Sequence, residues 1–251
     1  MSFDITSKLS IGSWLQLADP ALTEMMVGAG FDWLTIDLEH TSTTMSETAN
    51  LIRVGDLAGV PMFVRLSGHD PAQIKRVLDA GASGIIAPMV NSAEQAKRIV
   101  AAAYYPPRGD RGVGLARAQG YGQSFDHYRD HQADNVDVIV QIEHVDGVRD
   151  LGSILSVEGV AGFFVGPYDL SGSLGHPGDF TQPAVAAAMA EVERYISPGG
   201  PVAGIHVVEP DVDQLEEAIE RGYRFIALAS EMLIFSGRMA ELAAGLASVD
   251  R

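Results

Sequence analysis

Residues 137–150 read DVIVQIEHVDGVRD, a short apolar run that passes directly into a helical pattern. The run DVIVQIE is nearly continuous in its apolar character, which is typical of a parallel strand covered on both faces. The pattern HVDGVRDLGSILS that follows predicts a helix. Gln141 and Glu143 lie at the end of the predicted strand, where a purely structural core gives no reason for an amide and a carboxylate.

The same strand–helix unit recurs along the whole chain. Strand-like segments begin near residues 9, 32, 61, 84, 137, 160, 201 and 224, and the last helical pattern is EMLIFSGRMAELAAGLAS. Several helical patterns open with Asp-Pro or Asn-Ser and close on Gly, as capped helices do. Eight such units predict an α/β fold, a single (β/α)8 TIM-type barrel domain over residues 1–251. A doubly wound open sheet is the alternative, but no Gly-rich dinucleotide fingerprint follows the first strand.

One segment, at about residues 104–136, does not fit this rhythm. It reads YYPPRGDRGVGLARAQGYGQSFDHYRDHQADN over residues 104–135 and is long, aromatic and rich in Gly and Arg. Excursions of this length inside a compact domain are usually functional. We expect either a functional excursion or a subunit contact.

Composition excludes several classes of protein. The chain has 33 acidic and 17 basic residues and a formal charge of −16, so it lacks the basic footprint that nucleic acids and anionic membranes require. With no cysteine, it has no disulfide, zinc–thiolate site or Cys nucleophile. The first residues, MSFDITSKLSIGSWL, are not typical of a signal peptide, and no apolar run is long enough for a membrane span. We therefore expect a cytoplasmic protein.

Polar residues collect where the predicted strands end. In a (β/α)8 barrel the carboxyl ends of the strands meet at one mouth, where active sites lie. The residues expected there are Asp37, Glu39, His40, Arg65, Gln141, Glu143, Asp169 and His206.

Glu143 and Asp169 follow consecutive strands, so we expect them to be neighbours. Two carboxylates, completed by water and a chelating substrate, suit Mg²⁺ or Mn²⁺. Taken singly, Glu143 could be a salt-bridged rim carboxylate and Asp169 a helix N-cap. Taken as a pair, they favour a metal site.

The roles of Arg65 and His40 stay open at this point. A buried Arg65 needs an anionic partner, either a structural carboxylate or a substrate oxyanion. His40 could be a general base tuned by Asp37 or another carboxylate, or a packing residue. None of the three lysines lies at a strand end, which disfavours an aldolase that forms a lysine imine.

Several segments, taken in order, resemble one family. They are GAGFDWLTIDLEH, DPAQIKRVLDAG, APMVNSAEQAKRIVAAAYYPPRGDRGVG, VIVQIE and VEGVAGFFVGPYDLSGSLG, and they run nearly end to end. The chain resembles the metal-dependent class II pyruvate aldolases of the HpcH/HpaI family, which include 4-hydroxy-2-oxoheptanedioate and 2-dehydro-3-deoxyglucarate aldolases.

The resemblance implies a carbon–carbon lyase that cleaves or forms a 4-hydroxy-2-oxo acid. Its small-molecule substrates would be an aldehyde and pyruvate or a close 2-oxo acid, joined through a metal-stabilised enolate. The implied cofactor is a divalent ion, Mg²⁺, Mn²⁺ or Co²⁺. The implied assembly is a homo-oligomer, a trimer or a hexamer, in which the C-terminal helix is exchanged between subunits.

The resemblance also implies residue roles. Metal ligands would be Glu143 and Asp169; catalytic residues would be His40, Arg65 and Asp79, the last pairing with the histidine across a subunit boundary. Substrate-binding residues would be Trp14 beside the pyruvate methyl group, Arg65, Gln141, Tyr168 and Asp169.

Two positions depart from the family pattern. Leu38 and Tyr168 stand where the best-known members have small residues, which leaves the aldehyde partner open. Two other functions are also compatible with these residues. One is an acyl-CoA lyase on the same barrel, which would need a basic patch for CoA. The other is a non-catalytic barrel that binds 2-oxo acids.

Overall fold

The computed structural model describes residue 5 and residues 8–247. The expectation about the N-terminal segment therefore lies partly outside the described residues, as does Ser248 at the end of the last predicted helix.

Eight parallel strands form a closed barrel in the described part of the chain, in the order of the sequence from β1 to β8. Their bounds are β1 Ser10–Leu15, β2 Trp33–Asp37, β3 Met62–Arg65, β4 Gly84–Ala87, β5 Asp137–Ile142, β6 Val160–Val165, β7 Val202–Val207 and β8 Phe225–Ser230. The predicted (β/α)8 barrel is confirmed, and the doubly wound alternative is wrong because β1 pairs with both β2 and β8.

Helices connect the strands on the outside of the barrel. Their bounds are α1 Pro20–Gly28, α2 Met45–Leu57, α3 Pro71–Asp79, α4 Ala93–Ala103, α5 Phe125–His131, α6 Val145–Arg149, α7 Leu151–Leu155, α8 Pro167–Ser173, α9 Pro183–Glu193, α10 Val212–Glu220 and α11 Glu231–Ala247. The prediction of one helix after β5 is wrong, since that segment forms α6 and α7. The break falls at Asp150, whose carboxylate accepts the backbone N–H of Ala93 at 2.8 Å.

Aromatic side chains fill the barrel interior. Trp33 stacks on Phe225 with ring centroids 3.9 Å apart, and Phe63 meets Phe225 edge-on at 5.2 Å. Gly12 makes room for this stack, because a Cβ there would lie 2.1 Å from the Trp33 ring. The interior is therefore a packed core and not a channel.

The excursion after α4 lies at the N-terminal end of the barrel in its own chain. The N–H of Ala118 donates to the carbonyl of Asp79 at 3.0 Å, at the end of α3, and Arg117 reaches the carbonyl of Ala80 at 3.1 Å. That end of α3 leads into the start of β4. The excursion therefore sits opposite the strand ends where the polar residues were predicted to meet.

The last helix, α11, leaves a row of large apolar side chains in solvent. They are between 39% and 60% exposed and comprise Met232, Ile234, Phe235, Met239, Leu242 and Leu246. Despite these residues, none of the helices in residues 8–247 is both long and apolar enough to cross a membrane.

Candidate active site

An ion pair between neighbouring strands forms the base of the mouth. Asp37 ends β2 and Arg65 ends β3, and the two are partners in the strand register. Arg65 donates from Nε to Asp37 Oδ1 at 2.9 Å and from Nη2 to Oδ2 at 2.6 Å. This two-bond geometry fixes the guanidinium plane. A structural carboxylate, one of the two kinds of partner considered for Arg65, is therefore present in the fold.

The carboxylate of Asp37 is ionised in this setting. Burial alone would raise its pKa, but Arg65 and the backbone N–H groups of Glu39 and His40 outweigh burial and hold the pKa below its usual value. Those N–H groups lie 2.9 Å and 3.3 Å from Oδ1. Asp37 therefore contacts the backbone of His40 and not its ring.

The third nitrogen of Arg65 faces a second carboxylate. Nη1 lies 3.3 Å from Glu39 Oε2, which is buried and makes no hydrogen bond among the described residues. Burial raises the pKa of Glu39, with the nearby Asp37 and Asp169 adding to the rise and Arg65 opposing it. The Arg65 guanidinium also stacks over the Trp14 ring at 4.2 Å.

Trp14 in turn stacks on His206, with ring centroids 5.2 Å apart. Nε2 of His206 donates to the carbonyl of Ala229 at 3.0 Å, since a carbonyl can only accept. Burial lowers the pKa of His206 to about 4. His206 is therefore a neutral ring beside Trp14 near neutral pH.

Glu143 follows β5 and is only 2% exposed. Its Oε1 accepts the backbone N–H of Met89 at 2.6 Å, and its Oε2 accepts a hydrogen bond from the side-chain amide of Gln141. Met89 holds a positive φ of 52° to make this contact, a conformation that residues other than glycine rarely adopt. Gly166 faces the same carboxylate, because a Cβ there would lie 2.6 Å from Oε2.

Burial raises the pKa of Glu143 to about 7, and the negative charges of Glu39 and Asp169 add to the rise. In the protein without metal, the folded state therefore retains a proton that the unfolded state releases above about pH 4.5. Free energy of unfolding should fall between about pH 5 and pH 8, by up to about 3 kcal/mol from this group. Urea unfolding in the presence of chelator measures the fall.

Glu143→Gln removes the titrating group, so its unfolding free energy should depend less on pH than that of the parent. Glu94→Gln is the matched control, since Glu94 is 68% exposed on α4. An identical pH dependence in the parent and in Glu143→Gln would contradict the assignment.

Asp169 lies in the first turn of α8, the helix that follows β6 at the mouth. The helix begins at Pro167 with Gly166 in the cap position, so the N-cap alternative for Asp169 is wrong. A cavity of about 320 Å³ opens here, which we call the mouth cavity. Its lining includes Trp14, His40, Arg65, Gln141, Tyr168, Asp169 and His206.

His40 stands at the rim of the mouth cavity. Its side chain is 57% exposed, and Nε2 lies 3.8 Å from Glu39 Oε2. An exposed ring of this kind is not a packing residue, so that alternative is wrong. Its nearest carboxylate partner is Glu39 and not Asp37.

Asp79 is the predicted site residue that the fold does not bring to the mouth. It ends α3, and its Oδ1 accepts from Arg111 at 2.6 Å and from Gln119 at 3.3 Å. Both partners belong to the excursion. Within one chain Asp79 anchors that segment, and its pairing with a histidine of another subunit stays a prediction.

The residues of the mouth suit a divalent metal ion. Glu39, Glu143 and Asp169 bring three carboxylates near one cation, Arg65. Burial raises the pKa of Glu39 and of Glu143, and the neighbouring carboxylates add to the rise. Oε1 of Gln141 is buried without a hydrogen-bond partner among the described residues. Residues 8–247 contain no group of three His, Asp or Glu close enough to hold an ion alone. Water or substrate would complete the coordination.

Sequence reasoning gave Glu39 and Met89 no role. Glu39 was visible at a predicted strand end, but its contact with Arg65 depends on the loop after β2. Met89 acts through its backbone, which leaves no signal in the identity of the side chain. His206 was considered only because it ends a strand, and its stacking on Trp14 was not predictable.

A closed (β/α)8 barrel with acidic groups and an arginine at its C-terminal mouth is typical of (β/α)8-barrel enzymes, whose active sites lie at that end. Residues 10–236 match the HpcH/HpaI aldolase/citrate lyase family. The chain belongs to this family.

Individual relatives agree with this membership. The chain is 38% identical over 241 residues to a hydroxypyruvate/pyruvate aldolase of Pseudomonas aeruginosa, covering 95% of this chain and 88% of that one. It is 36% identical to the 2-keto-3-deoxy-L-rhamnonate aldolase of Escherichia coli K12, covering 91% and 85%. A family member of known structure from Burkholderia cenocepacia J2315 has a TM-score of 0.90 at 32% identity, covering 97% of each chain. These similarities identify a lyase of the aldolase type.

Proposed function

We propose that the protein is a metal-dependent aldolase that reversibly cleaves a 4-hydroxy-2-oxo acid into an aldehyde and pyruvate or a close 2-oxo acid. The observation that carries this proposal is one cavity lined by Arg65, Gln141 and Asp169, with the buried carboxylate of Glu143 hydrogen-bonded to Gln141 behind it. Named aldolases among its relatives support the same reaction class.

Glu143 and Asp169 would hold the metal ion, with the free Oε1 of Gln141 directed to a ligand or substrate atom. Mg²⁺, Mn²⁺ and Co²⁺ all suit oxygen ligands of this kind. When bound, the ion supplies Lewis-acid stabilisation of negative charge on the substrate oxygens.

Arg65 and His40 would carry the proton and charge movements. In cleavage, His40 takes the proton of the 4-hydroxyl group, the bond between C3 and C4 breaks, and the aldehyde leaves. The electron pair remains on the 2-oxo acid as an enolate, and Arg65 stabilises the charge on its oxygen. A proton then returns to C3 and gives the methyl group of pyruvate.

The remaining predicted residues would position these groups. Trp14 lies under Arg65 and would contact the methyl group, and Tyr168 would border the aldehyde. Asp79 would orient the His40 ring of a neighbouring subunit.

Proton exchange at C3 gives the first test. In deuterated water with Mn²⁺ or Mg²⁺, we expect the methyl protons of pyruvate to exchange, because the enolate forms without an aldehyde. Proton NMR follows the loss of the methyl signal, and addition of a chelator should abolish it. Absence of exchange with every divalent ion would contradict the proposal.

The exposed apolar face of α11 supports a homo-oligomer, a trimer or hexamer with this helix exchanged between subunits. Sedimentation velocity should give a mass of at least three chains, and Leu242→Glu should lower it because a charge would be buried. Arg238→Gln is the control, since Arg238 is 79% exposed on the same helix. A monomeric parent protein would contradict this proposal.

We place the protein in the cytoplasm on its composition.

The two rival functions have less support. An acyl-CoA lyase shares the barrel, but the most similar relatives described above are named as aldolases acting on 2-oxo acids. A non-catalytic binding barrel would tolerate the loss of His40, whereas the aldolase would lose its cleavage rate.

A further inference from the structure

A second cavity lies beside the mouth cavity, between α9 and α10 and over β7. Its volume is about 440 Å³, and we call it the side groove. Its apolar lining includes Tyr168, Phe180, Val185, Met189, Ile205 and Val207. A space of this size and character takes a small apolar group.

The side groove borders the mouth cavity. Four residues line both of them, namely Pro167, Tyr168, His206 and Val208. The Tyr168 ring stands at the junction and meets Phe180 edge-on, with centroids 5.1 Å apart and planes at 87°. Both rings are exposed, at 49% and 44%, so their faces are available to a ligand. Tyr168 directly precedes Asp169, so the border between the two cavities lies next to a proposed metal ligand.

Charged residues in the lining determine which ligands the groove accepts. The lining has three carboxylates, Glu193, Glu209 and Glu217, against the single cation Arg221. Arg221 is already paired with Glu193. A carboxylate-bearing ligand would therefore meet net negative charge with no free cation in the lining.

We propose that the side groove is the subsite for the aldehyde tail, and that it selects neutral aldehydes carrying an apolar group of about the size of a phenyl ring. This inference rests on the proposed aldolase function and adds its acceptor class. Tyr168 and Phe180 supply the aromatic edge that a phenyl ring packs against.

The test measures the aldol addition of pyruvate to each of three aldehydes: 3-phenylpropanal, glycolaldehyde and succinic semialdehyde. We expect kcat/KM for 3-phenylpropanal to exceed that for succinic semialdehyde at least about tenfold, a difference of about 1.4 kcal/mol. Met189→Trp fills the groove from α9, at a residue that does not line the mouth cavity. It should lower the ratio of 3-phenylpropanal to glycolaldehyde about tenfold. Phe180→Ala should lower the same ratio by a smaller factor.

Tyr121→Ala is the matched control, because Tyr121 is 68% exposed in the excursion at the opposite end of the barrel. Its aldehyde ratios should equal those of the parent. Deuterium exchange into pyruvate is measured on every sample, since it requires no aldehyde. Exchange without any difference among the aldehydes, or a preference for succinic semialdehyde, would overturn the subsite alone. Absence of exchange in the parent would overturn the aldolase function itself.

Discussion

Arg65→Ala is expected to slow deuterium exchange into pyruvate about a hundredfold, a loss of about 3 kcal/mol in transition-state stabilisation. The reason lies in the geometry of the guanidinium. Two of its nitrogens donate to Asp37, so the guanidinium is held in one orientation before substrate binds. It therefore does not have to reorient when charge develops on the substrate. Charge that develops on the enolate oxygen then meets a preorganised cation in a site shielded from water.

The Arg65→Ala change also leaves the carboxylate of Asp37 buried and unpaired, which would destabilise the fold by several kcal/mol. The double variant Arg65→Ala with Asp37→Asn removes both charges and keeps an oxygen for the N–H groups of Glu39 and His40. If Arg65→Ala is slow because a catalytic group is lost, the double variant should be folded by circular dichroism and should exchange pyruvate protons as slowly as the single variant. A folded double variant with exchange within about threefold of the parent would remove Arg65 from the reaction.

Arg98→Ala serves as the control for a lost positive charge. Arg98 is 64% exposed on α4, where it pairs with Glu94 at 3.7 Å. Exposed pairs of this kind contribute little to stability. Its exchange rate should equal that of the parent, which would show that net charge alone does not explain the effect at Arg65.

The barrel was predictable because parallel strands covered on both faces need continuous apolar runs, and these are visible in the sequence. The runs VIVQI and IIA lie in β5 and β4 with their predicted faces buried. The break between α6 and α7 was not predictable, since it depends on a hydrogen bond from Ala93 to Asp150 across the fold. Local pattern describes the elements, and such tertiary contacts decide where they end.

The site was predictable only at the level of which strand ends carry polar groups. Strand register decides which of these groups touch: Asp37 and Arg65 are partners because β2 and β3 align there, and no local signal gives that alignment. Asp37, which the sequence suggests as a carboxylate that tunes His40, instead binds Arg65 through two hydrogen bonds. The role of Glu39 follows from the same alignment. Asp37 accepts from Nε and Nη2 of Arg65, and Glu39 contacts the remaining nitrogen, Nη1.

The arrangement around Glu143 also explains why its carboxylate tolerates burial. Neutral donors, the N–H of Met89 and the amide of Gln141, satisfy its oxygens without cancelling its charge. Arg65 is occupied by Asp37 and Glu39. Above the Glu143 pKa of about 7 the site therefore carries negative charge that a divalent cation would neutralise, and this is the physical basis for the effect we expect on metal binding.

Glu143→Ala should weaken Mn²⁺ binding at least about a hundredfold, or about 2.7 kcal/mol, and reduce pyruvate exchange to the level seen with chelator. Removing one of two protein carboxylates leaves Asp169 as the sole charged ligand. Titration of free Mn²⁺ by electron paramagnetic resonance measures the affinity directly, without relying on activity. Glu94→Ala, on the exposed face of α4, should bind as the parent does. Mn²⁺ affinity in Glu143→Ala within about threefold of the parent would contradict the ligand assignment, whereas a parallel loss of binding and exchange would tie the buried carboxylate to the chemistry.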